Sequence, residues 1–350
     1  MHDSLSRFRP RYPRICGQIA LGLLLSLASV AHAQPIGDIA YLSGASHDDL
    51  TVCVLHIGSD AVDIIGTGQR DGRPVWSPDG TRIAHAVDQE GESRIRIVMA
   101  NGANETILAS PGGPARHPRW SPKGDRIAFV SGPRNSERIY VFDTKTQISK
   151  PWGGDQPPLM QPSWVSEDRL VAVGRVGGPG SQTTDLYWVT QSRADRINDA
   201  LPEHGNYFEW APVSPGVDEF LTFESDDGGD REIFVYAPQR GAFDVSNHRA
   251  ADWNPKWSPD GRNIAFESFR GGRRGVYQVN ALRVLVNEVN APDNGNAWDP
   301  EWSPDGEWIV YVSDQTGYSN LFASRSNGRD TVQLTDAPGL QLAPAWRPAK

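Results

Sequence analysis

The chain has 350 residues, 43 acidic against 34 basic side chains and 38% hydrophobic content, which suits a folded protein with a real core and disfavours a disordered one. A net charge of −9 without a clustered excess of Lys and Arg excludes a nucleic-acid binder and disfavours an anionic membrane surface, since both need basic patches that neutralise phosphate. The 35 glycines and 27 prolines imply many tight turns between short elements and few long helices.

At the N-terminus, Arg7, Arg9, Arg11 and Arg14 precede an apolar run at 19–30, and Ala31-His32-Ala33 gives a small-x-small cleavage pattern. This is the layout of an export signal. The run has 12 residues where a membrane-spanning helix needs about 20. Residues 1–33 are therefore expected to be a cleaved signal peptide and 34–350 the mature domain, periplasmic or secreted, with no membrane span. Cleavage removes four arginines and one aspartate, so the mature chain carries −12. Cys16 leaves with the leader, and Cys53 stays as a single thiol expected in a strand, a small core hydrophobe without a disulfide partner.

The mature sequence is a repeat. Trp76-Ser77-Pro78-Asp79-Gly80, Trp120-Ser121-Pro122-Lys123-Gly124, Trp257-Ser258-Pro259-Asp260-Gly261 and Trp302-Ser303-Pro304-Asp305-Gly306 are near-verbatim copies, and Trp164, Trp210 and Trp346 mark degenerate ones. The seven anchors lie 44, 44, 46, 47, 45 and 44 residues apart. An apolar strand follows each internal anchor, as at Ile83, Ile127, Leu170, Phe220, Ile264 and Ile309; a second strand comes next, and a weaker third precedes the following Trp. Four short strands in about 45 residues is the signature of a propeller blade. In the pentapeptide, Pro presets φ for a turn and Gly accepts the exit conformation. Its serine is a turn residue, and its Trp is expected to fill the wedge between neighbouring sheets.

The first strand of the mature chain, at Ile39, has no Trp strand before it, and the last Trp strand, at Trp346, has no strands after it. The two leftovers complement each other. The expected fold is all-β: a seven-bladed β-propeller of four-stranded antiparallel blades, closed by the C-terminal strand around Ala343–Trp346 joining the N-terminal strands between Ile39 and about Gly66, which leaves no free sheet edge at the seam.

The Trp-Ser-Pro-Asp-Gly motif followed by Ile-Ala-Phe resembles the WD40-like repeat of TolB-type β-propellers over essentially the whole mature chain. The resemblance implies an exported propeller. TolB itself is a periplasmic part of the Tol-Pal system whose propeller binds the peptidoglycan-associated lipoprotein. Similar blades occur in prolyl oligopeptidase-like peptidases and in oligogalacturonate lyases, the latter using a metal and His ligands. This sequence departs from TolB in having seven repeats, where TolB has six, and no preceding α/β domain. It stops at the last repeat, where the peptidases continue into a hydrolase domain, so no fused peptidase is expected.

No nucleophile-elbow or zinc-binding motif is present, and no catalytic residue is assigned. Loop carboxylates are plentiful, including those at His47-Asp48-Asp49, Asp226, Asp227, Asp230 and Asp314, and have the hard oxygens that a Ca²⁺ site needs; as turn-formers in an acidic chain they need no metal, and no cofactor is expected. Binding has better support. Trp253 and Trp298 both stand four residues before an anchor, where other repeats have Arg116, Met160 and Asn206, so packing alone does not demand Trp there. One position on stand Asn254, Asp299, His117 and Tyr207. With Phe208 and His204 these residues are expected to form one rim of the ring, where aromatic anchors beside polar groups suit a partner. Arg134, Arg270, Arg273 and Arg274 read as solvated loop arginines. The expected function is a non-catalytic scaffold for an envelope protein or peptide; the alternative is a carbohydrate-binding or metal-dependent polysaccharide-degrading propeller.

Overall fold

The pentapeptide repeats fold as hairpin turns in the computed structural model. The model describes residues 34–66, 72–155, 158–176, 183–197, 207–208, 220–226, 229–282 and 285–349; the expected leader at 1–33 lies outside them. Ser77, Ser258 and Ser303 donate their hydroxyls to Asp79, Asp260 and Asp305 at 2.5–2.6 Å. The same oxygens accept the N–H groups of Arg82, Asn263 and Trp308. Gly80, Gly124, Gly261 and Gly306 take φ between 65° and 72°, a region that disfavours a Cβ. These serines are buried and locked into the turn.

Each turn joins two antiparallel strands, and repetition gives seven four-stranded sheets. Blade 2 consists of Val75–Trp76, Arg82–Gln89, Glu92–Met99 and Thr106–Ile107; blade 3 of Ala115–Trp120, Arg126–Ser131, Arg138–Asp143 and Ile148–Trp152; and blade 4 of Leu159–Ser166, Arg169–Arg175, Thr184–Val189 and Ala194–Arg196. Blade 5 comprises Tyr207–Phe208, Leu221–Ser225, Glu232–Ala237 and Gly241–Asp244; blade 6, Asp252–Trp257, Asn263–Ser268, Gly275–Asn280 and Val286–Asn290; and blade 7, Ala297–Trp302, Trp308–Ser313, Asn320–Arg325 and Val332–Gln333. Blade 1 is assembled from both ends of the domain: Leu340–Trp346 pairs with Asp38–Gly44, followed by Thr51–His56 and Ala61–Ile64. The all-β, seven-bladed ring with a C-terminal closing strand is therefore the observed fold. Among the described residues no helix is long and apolar enough to cross a membrane.

The core is not one cluster but seven, each filling the gap between consecutive blades. Trp76 sits between blades 1 and 2, Trp120 between 2 and 3, Trp164 between 3 and 4, Trp257 between 5 and 6, Trp302 between 6 and 7, and Trp346 between 7 and 1. All six are 5–8% exposed. The indole also makes a directional link. Trp76, Trp120, Trp164 and Trp302 donate Nε1–H to the carbonyls of Ala345, Val75, Arg119 and Lys256 at 2.9–3.2 Å. Each acceptor is the residue just before the Trp of the preceding blade, so these four wedges are keyed to the neighbour's inner strand, whereas Trp346 donates to the Ile36 carbonyl at 3.1 Å. Cys53 is buried in the blade 7–blade 1 cluster, the role its sequence context suggests.

The seam is reinforced outside the ladder. Arg347 donates its backbone N–H to the carbonyl of Asp38 at 2.8 Å and a guanidinium N–H to the Asp38 carboxylate at 2.6 Å. The other Asp38 oxygen meets His56 Nδ1 at 2.8 Å, while His56 Nε2 meets Asp63 at 3.1 Å. Hydrogen bonds to Asp38 and then Asp63 raise the His56 pKa above 6.5. Burial alone would raise Asp38, but Arg347 and His56 outweigh it and hold that carboxyl below its ordinary value.

Two outcomes follow from these contacts. Trp257→Ala or Trp302→Ala leaves a cavity between two blades and is expected to cost about 3–5 kcal/mol, read as a lower denaturant midpoint. His56→Gln tests the seam: the histidine contributes most below about pH 6.5 and loses its contribution as pH rises through its elevated folded pKa. The melting-temperature gap between wild type and His56→Gln should accordingly be larger at pH 5.5 than at pH 8.5; a gap independent of pH rules the linkage out.

Candidate binding site at the channel mouth

The inner strands converge on the axis, and a recurrent bulge shapes what they present there. His117, Gln161, Asn254, Asp299 and Ala343 all stand three residues before their Trp, each directly before a proline, and all have φ between 53° and 59°. The strand register shifts at this point in blades 3, 4, 6, 7 and 1, as expected of a β-bulge that re-aims a side chain. Arg73 occupies the same sequence offset in blade 2, and Tyr207 in blade 5.

Three of these positions are linked around the axis. Arg73 forms a bidentate ion pair with Asp299, both contacts 2.8 Å. This pair joins blade 2 to blade 7 across blade 1, whose residue at the same offset is the small Ala343. Asp299 Oδ1 also accepts an N–H from the Asn254 side chain at 3.1 Å. Burial would raise the Asp299 pKa, but the charge and hydrogen bonds of Arg73, with Lys256 and Asn254, lower it. Asp299 stays ionised.

Two glutamates brace the bulges from the preceding blade. Glu224 of blade 5 accepts the backbone N–H of Asn254 at 2.7 Å, and Glu267 of blade 6 accepts that of Asp299 at 2.7 Å. Glu267 also takes the Asn254 side-chain N–H at 2.9 Å. Arg231 reaches Glu224 at 3.4 Å and Arg274 reaches Glu267 at 2.7 Å. Blades 5 and 6 thus repeat one carboxylate–guanidinium unit. Burial keeps the Glu267 pKa raised despite Arg274 and Asn254.

Above this polar floor lies a cavity of about 860 Å³ lined by Trp253, Trp298, Phe269, Leu42, Leu342 and the charged groups just described. Trp253 packs edge-on against Phe269, ring centroids 5.4 Å apart, and Arg274 stands 5.6 Å from the Trp298 ring centre. Both tryptophans are half-buried. Trp298 also packs on the blade 7–blade 1 core, so it is wall and wedge at once. Next to Trp253 in the strand, buried Asp252 lies close enough to the buried Glu232 for their charges to repel. Burial, with Asp252 and Asp244 adding repulsion, pushes Glu232 up to about 7 against the Ser246 hydroxyl and the His248 N–H. Arg270 pairs with Asp252 at 2.7 Å.

Arg119, Lys256 and Glu301, each just before a Trp, lie close together on the inner strands of blades 3, 6 and 7. Lys256 and Glu301 pair at 3.8 Å, with Arg119 and Arg73 close enough to act on both. The lumen admits water yet is ringed by protein, so enclosure dominates the titration: Arg119 falls to about 10, helped by Arg73. His117 falls to about 4 through the same enclosure and then the charges of Arg119, Arg116 and Arg73. It is a neutral ring at neutral pH.

The structure therefore brings Trp253, Trp298, Asn254 and Asp299 together at one cavity, while His117 lies at the equivalent position in blade 3, outside the cavity wall. Asn254 and Asp299 are only 8% and 6% exposed and serve chiefly to hold the floor. The backbone of Tyr207–Phe208 forms the inner strand of blade 5; their side chains and His204 lie outside the described residues. Sequence reasoning did not single out Arg73, Glu224, Glu267 or Arg231, and read Arg274 as a solvated loop residue. The signal for Arg73 was its Arg-Pro-x-Trp context, the same as that of His117. For the glutamates it was the Phe-Glu-Ser copied at 223–225 and 266–268, where five blades have Leu42, Ala86, Val130, Val173 and Val312. Of the candidate Ca²⁺ carboxylates, Asp49 caps its own loop through Ser46 and Ala45, and Asp314 binds Asn296. Among the described residues no group of three or more potential ligands is placed to hold a metal. Asp227 lies outside them.

Comparison with known proteins bears on the fold. The chain is similar to TolB from Acinetobacter baumannii (18% identity, 89% of this chain and 82% of that one, TM-score 0.54). It is also similar to the propeller domain of the Trilobed protease from Pyrococcus furiosus, described as having an open velcro topology (15%, 85% and 98%, TM-score 0.62). A third likeness is to the Pyrococcus horikoshii acylaminoacyl peptidase (14%, 85% and 52%, TM-score 0.59), of which it spans about half the length. At such identities these likenesses show the architecture alone. No curated protein is significantly similar in sequence. The model of the TolB beta propeller domain matches residues 154–349, more than half of the chain, taking in blades 4 to 7 and the closing strand; the chain belongs to the TolB β-propeller family.

Proposed function

We propose that this protein is an exported, periplasmic or secreted, non-catalytic scaffold that binds a polypeptide segment of an envelope protein at the mouth of its central channel. The observation that supports this most directly is the cavity of about 860 Å³ with Trp253 and Trp298 side by side over a floor of fixed charge pairs. Aromatic walls supply large contact area at little entropic cost, and a prearranged floor needs no reorganisation on binding. The polar groups there are engaged with one another, and among the described residues none is arranged as a nucleophile beside a base. The leader supports export, and the family supports a binding role.

A carbohydrate reading rests on the same aromatic pair, because sugar rings also stack on Trp. The aliphatic Leu42 and Leu342 in the wall favour side chains over saccharides. Turnover of a uronate-containing polysaccharide by the purified protein would replace the scaffold reading.

Selecting a displayed peptide library on the protein, then titrating the enriched peptides by calorimetry, tests the proposal. Binding is expected at one site per chain. Trp253→Ala should weaken it about tenfold, near 1.4 kcal/mol, with little change in melting temperature. Trp298→Ala should weaken it similarly and also lower the melting temperature, because its ring packs on the core. No enrichment, or affinities untouched by both substitutions, defeats the proposal. N-terminal sequencing of the exported protein is expected to begin at Gln34; retention of the leader would refute the processing step.

A further inference from the structure

Each inner strand runs from the mouth to the turn that follows its Trp, so the turns form the opposite face of the ring. One contact on that face repeats at three blade junctions. Arg82 of blade 2 lies over the Trp120 indole of blade 3, 4.5 Å from its centre, and donates to the Gly124 carbonyl in the turn after that Trp at 2.7 Å. Arg126 of blade 3 covers Trp164 of blade 4 at 5.3 Å and reaches Glu167 in the corresponding turn at 2.7 Å. Arg347 of blade 1 covers Trp76 of blade 2 at 5.4 Å, so close to the turn that a Cβ on Gly80 would stand 3.0 Å from its Nε. A guanidinium suits this place because its plane stacks on an indole while its edge donates hydrogen bonds.

The junction of blades 6 and 7 departs from this pattern. Arg82 and Arg126 stand six residues after their own Trp, and the same step from Trp257 gives Asn263. Asn263 turns aside to accept the Asn280 amide at 3.3 Å, and beside it opens a cavity of about 320 Å³ lined by Asp260, Trp302, Asp305, Gly306 and Ser326. Both acceptors that hold an arginine elsewhere recur here together: Gly306 is the counterpart of Gly124, and Asp305 that of Glu167. The nearby arginines point to other partners. Arg262 is 80% exposed and approaches Asp260 only at 3.8 Å, and Arg325 covers Trp308 and pairs with Glu307 and Asp330. Arg283 lies outside the described residues. We infer that this slot receives an arginine side chain of a partner polypeptide, its guanidinium stacked on Trp302 with the Gly306 carbonyl and the Asp305 carboxylate as acceptors. The chain thus supplies from a partner, at one junction, the contact that it makes for itself at three others. Lysine fits less well, because an ammonium has no plane to stack and no fork to donate. The site is on the other face from the channel mouth and does not depend on the reading given to the mouth.

The test titrates the protein with a short Gly-Ser peptide, capped at both ends, that carries one central Arg, Lys or citrulline, the neutral isostere of arginine. The readout is the NMR signal of the Trp302 indole N–H, assigned by its loss in Trp302→Phe. The Arg peptide is expected to shift this signal with an affinity at least about fivefold above that of the Lys peptide, the order of one stacked cation, and the citrulline peptide to leave it in place. Asn263→Arg should fill the slot from blade 6, raise the melting temperature and abolish the response. Asp305→Asn keeps an oxygen for the Ser303 hydroxyl and the Glu307 N–H but loses the charge, and should weaken the Arg peptide severalfold. The wild-type comparison stands even if a variant fails to fold. Equal responses to Arg and citrulline, or an undiminished response in folded Asn263→Arg, overturn the inference. So does a Trp302 signal unmoved by millimolar Arg peptide, which is also the result if a residue of this chain, Arg283 included, fills the slot. Peptide capture at the mouth, read through Trp253→Ala, is left intact by any of these outcomes.

Discussion

An indole wedged between two sheets, with its N–H bonded to the inner strand of the blade before it, is the contact on which the molecule depends. One four-stranded sheet has two faces and cannot cover both. Among the described residues a Trp fills six of the seven gaps, and in four of them the hydrogen bond fixes how far one blade turns relative to the next. The apolar clusters are separate, one per gap, so every gap must be filled for the ring to shut. Closure then depends on Leu340–Trp346 lying against Asp38–Gly44, with Arg347 and His56 tightening Asp38 beside the ladder. The seam joins the two ends of the repeat, and among the described residues it is the one ladder between strands far apart in sequence.

Because the wedge sits at the Trp and the turn just after it, the residues three and four places before are freer to change, although Trp298, Leu342, Ala343 and Met160 still pack on core clusters. They vary from blade to blade: His117, Gln161, Asn254, Asp299 and Ala343 hold the bulge, Arg73 and Tyr207 stand at the same sequence offset, and Arg116, Met160, Trp253, Trp298 and Leu342 come one place earlier. One side of the ring, blades 5 to 7, has gathered the aromatic pair and the glutamates. The small Ala343 at the seam lets Arg73 reach Asp299 across blade 1. Asymmetry of this kind, built on a symmetrical frame, is how a repeat fold acquires a site.

The architecture was legible because its signals are local and recur. Spacing gave the blade count, the pentapeptide gave the turns, and the unpaired ends gave the closure. The mouth was legible in part. Trp253 and Trp298 stood out as departures from the repeat, and the structure puts them on one wall. Asn254 and Asp299 also departed from it, but they turn out to be nearly sealed, because the left-handed bulge sends their backbone N–H groups to the glutamates of the preceding blade. Those partnerships join residues 30 and 32 positions apart in different blades, and no spacing rule within one repeat reveals them. Arg274 looked like a solvated loop residue for the same reason: the carboxylate that holds it lies on the neighbouring strand of its own blade, hidden in the sequence as one polar replacement in an apolar run.

The glutamates make the strongest case that this mouth is more than a gap in the packing. At the equivalent place five blades use Leu42, Ala86, Val130, Val173 and Val312, which shows that the frame closes well with an apolar residue there. Replacing a buried ion pair by apolar groups is often neutral or stabilising, whereas a buried carboxylate requires both its cation and its hydrogen bonds. Blades 5 and 6 meet that requirement twice, with Arg231 and Arg274 as cations and the bulge N–H groups as donors. The result is a pair of guanidiniums fixed at an opening where mobile loop arginines would otherwise stand. The other five blades close without such a pair at this place.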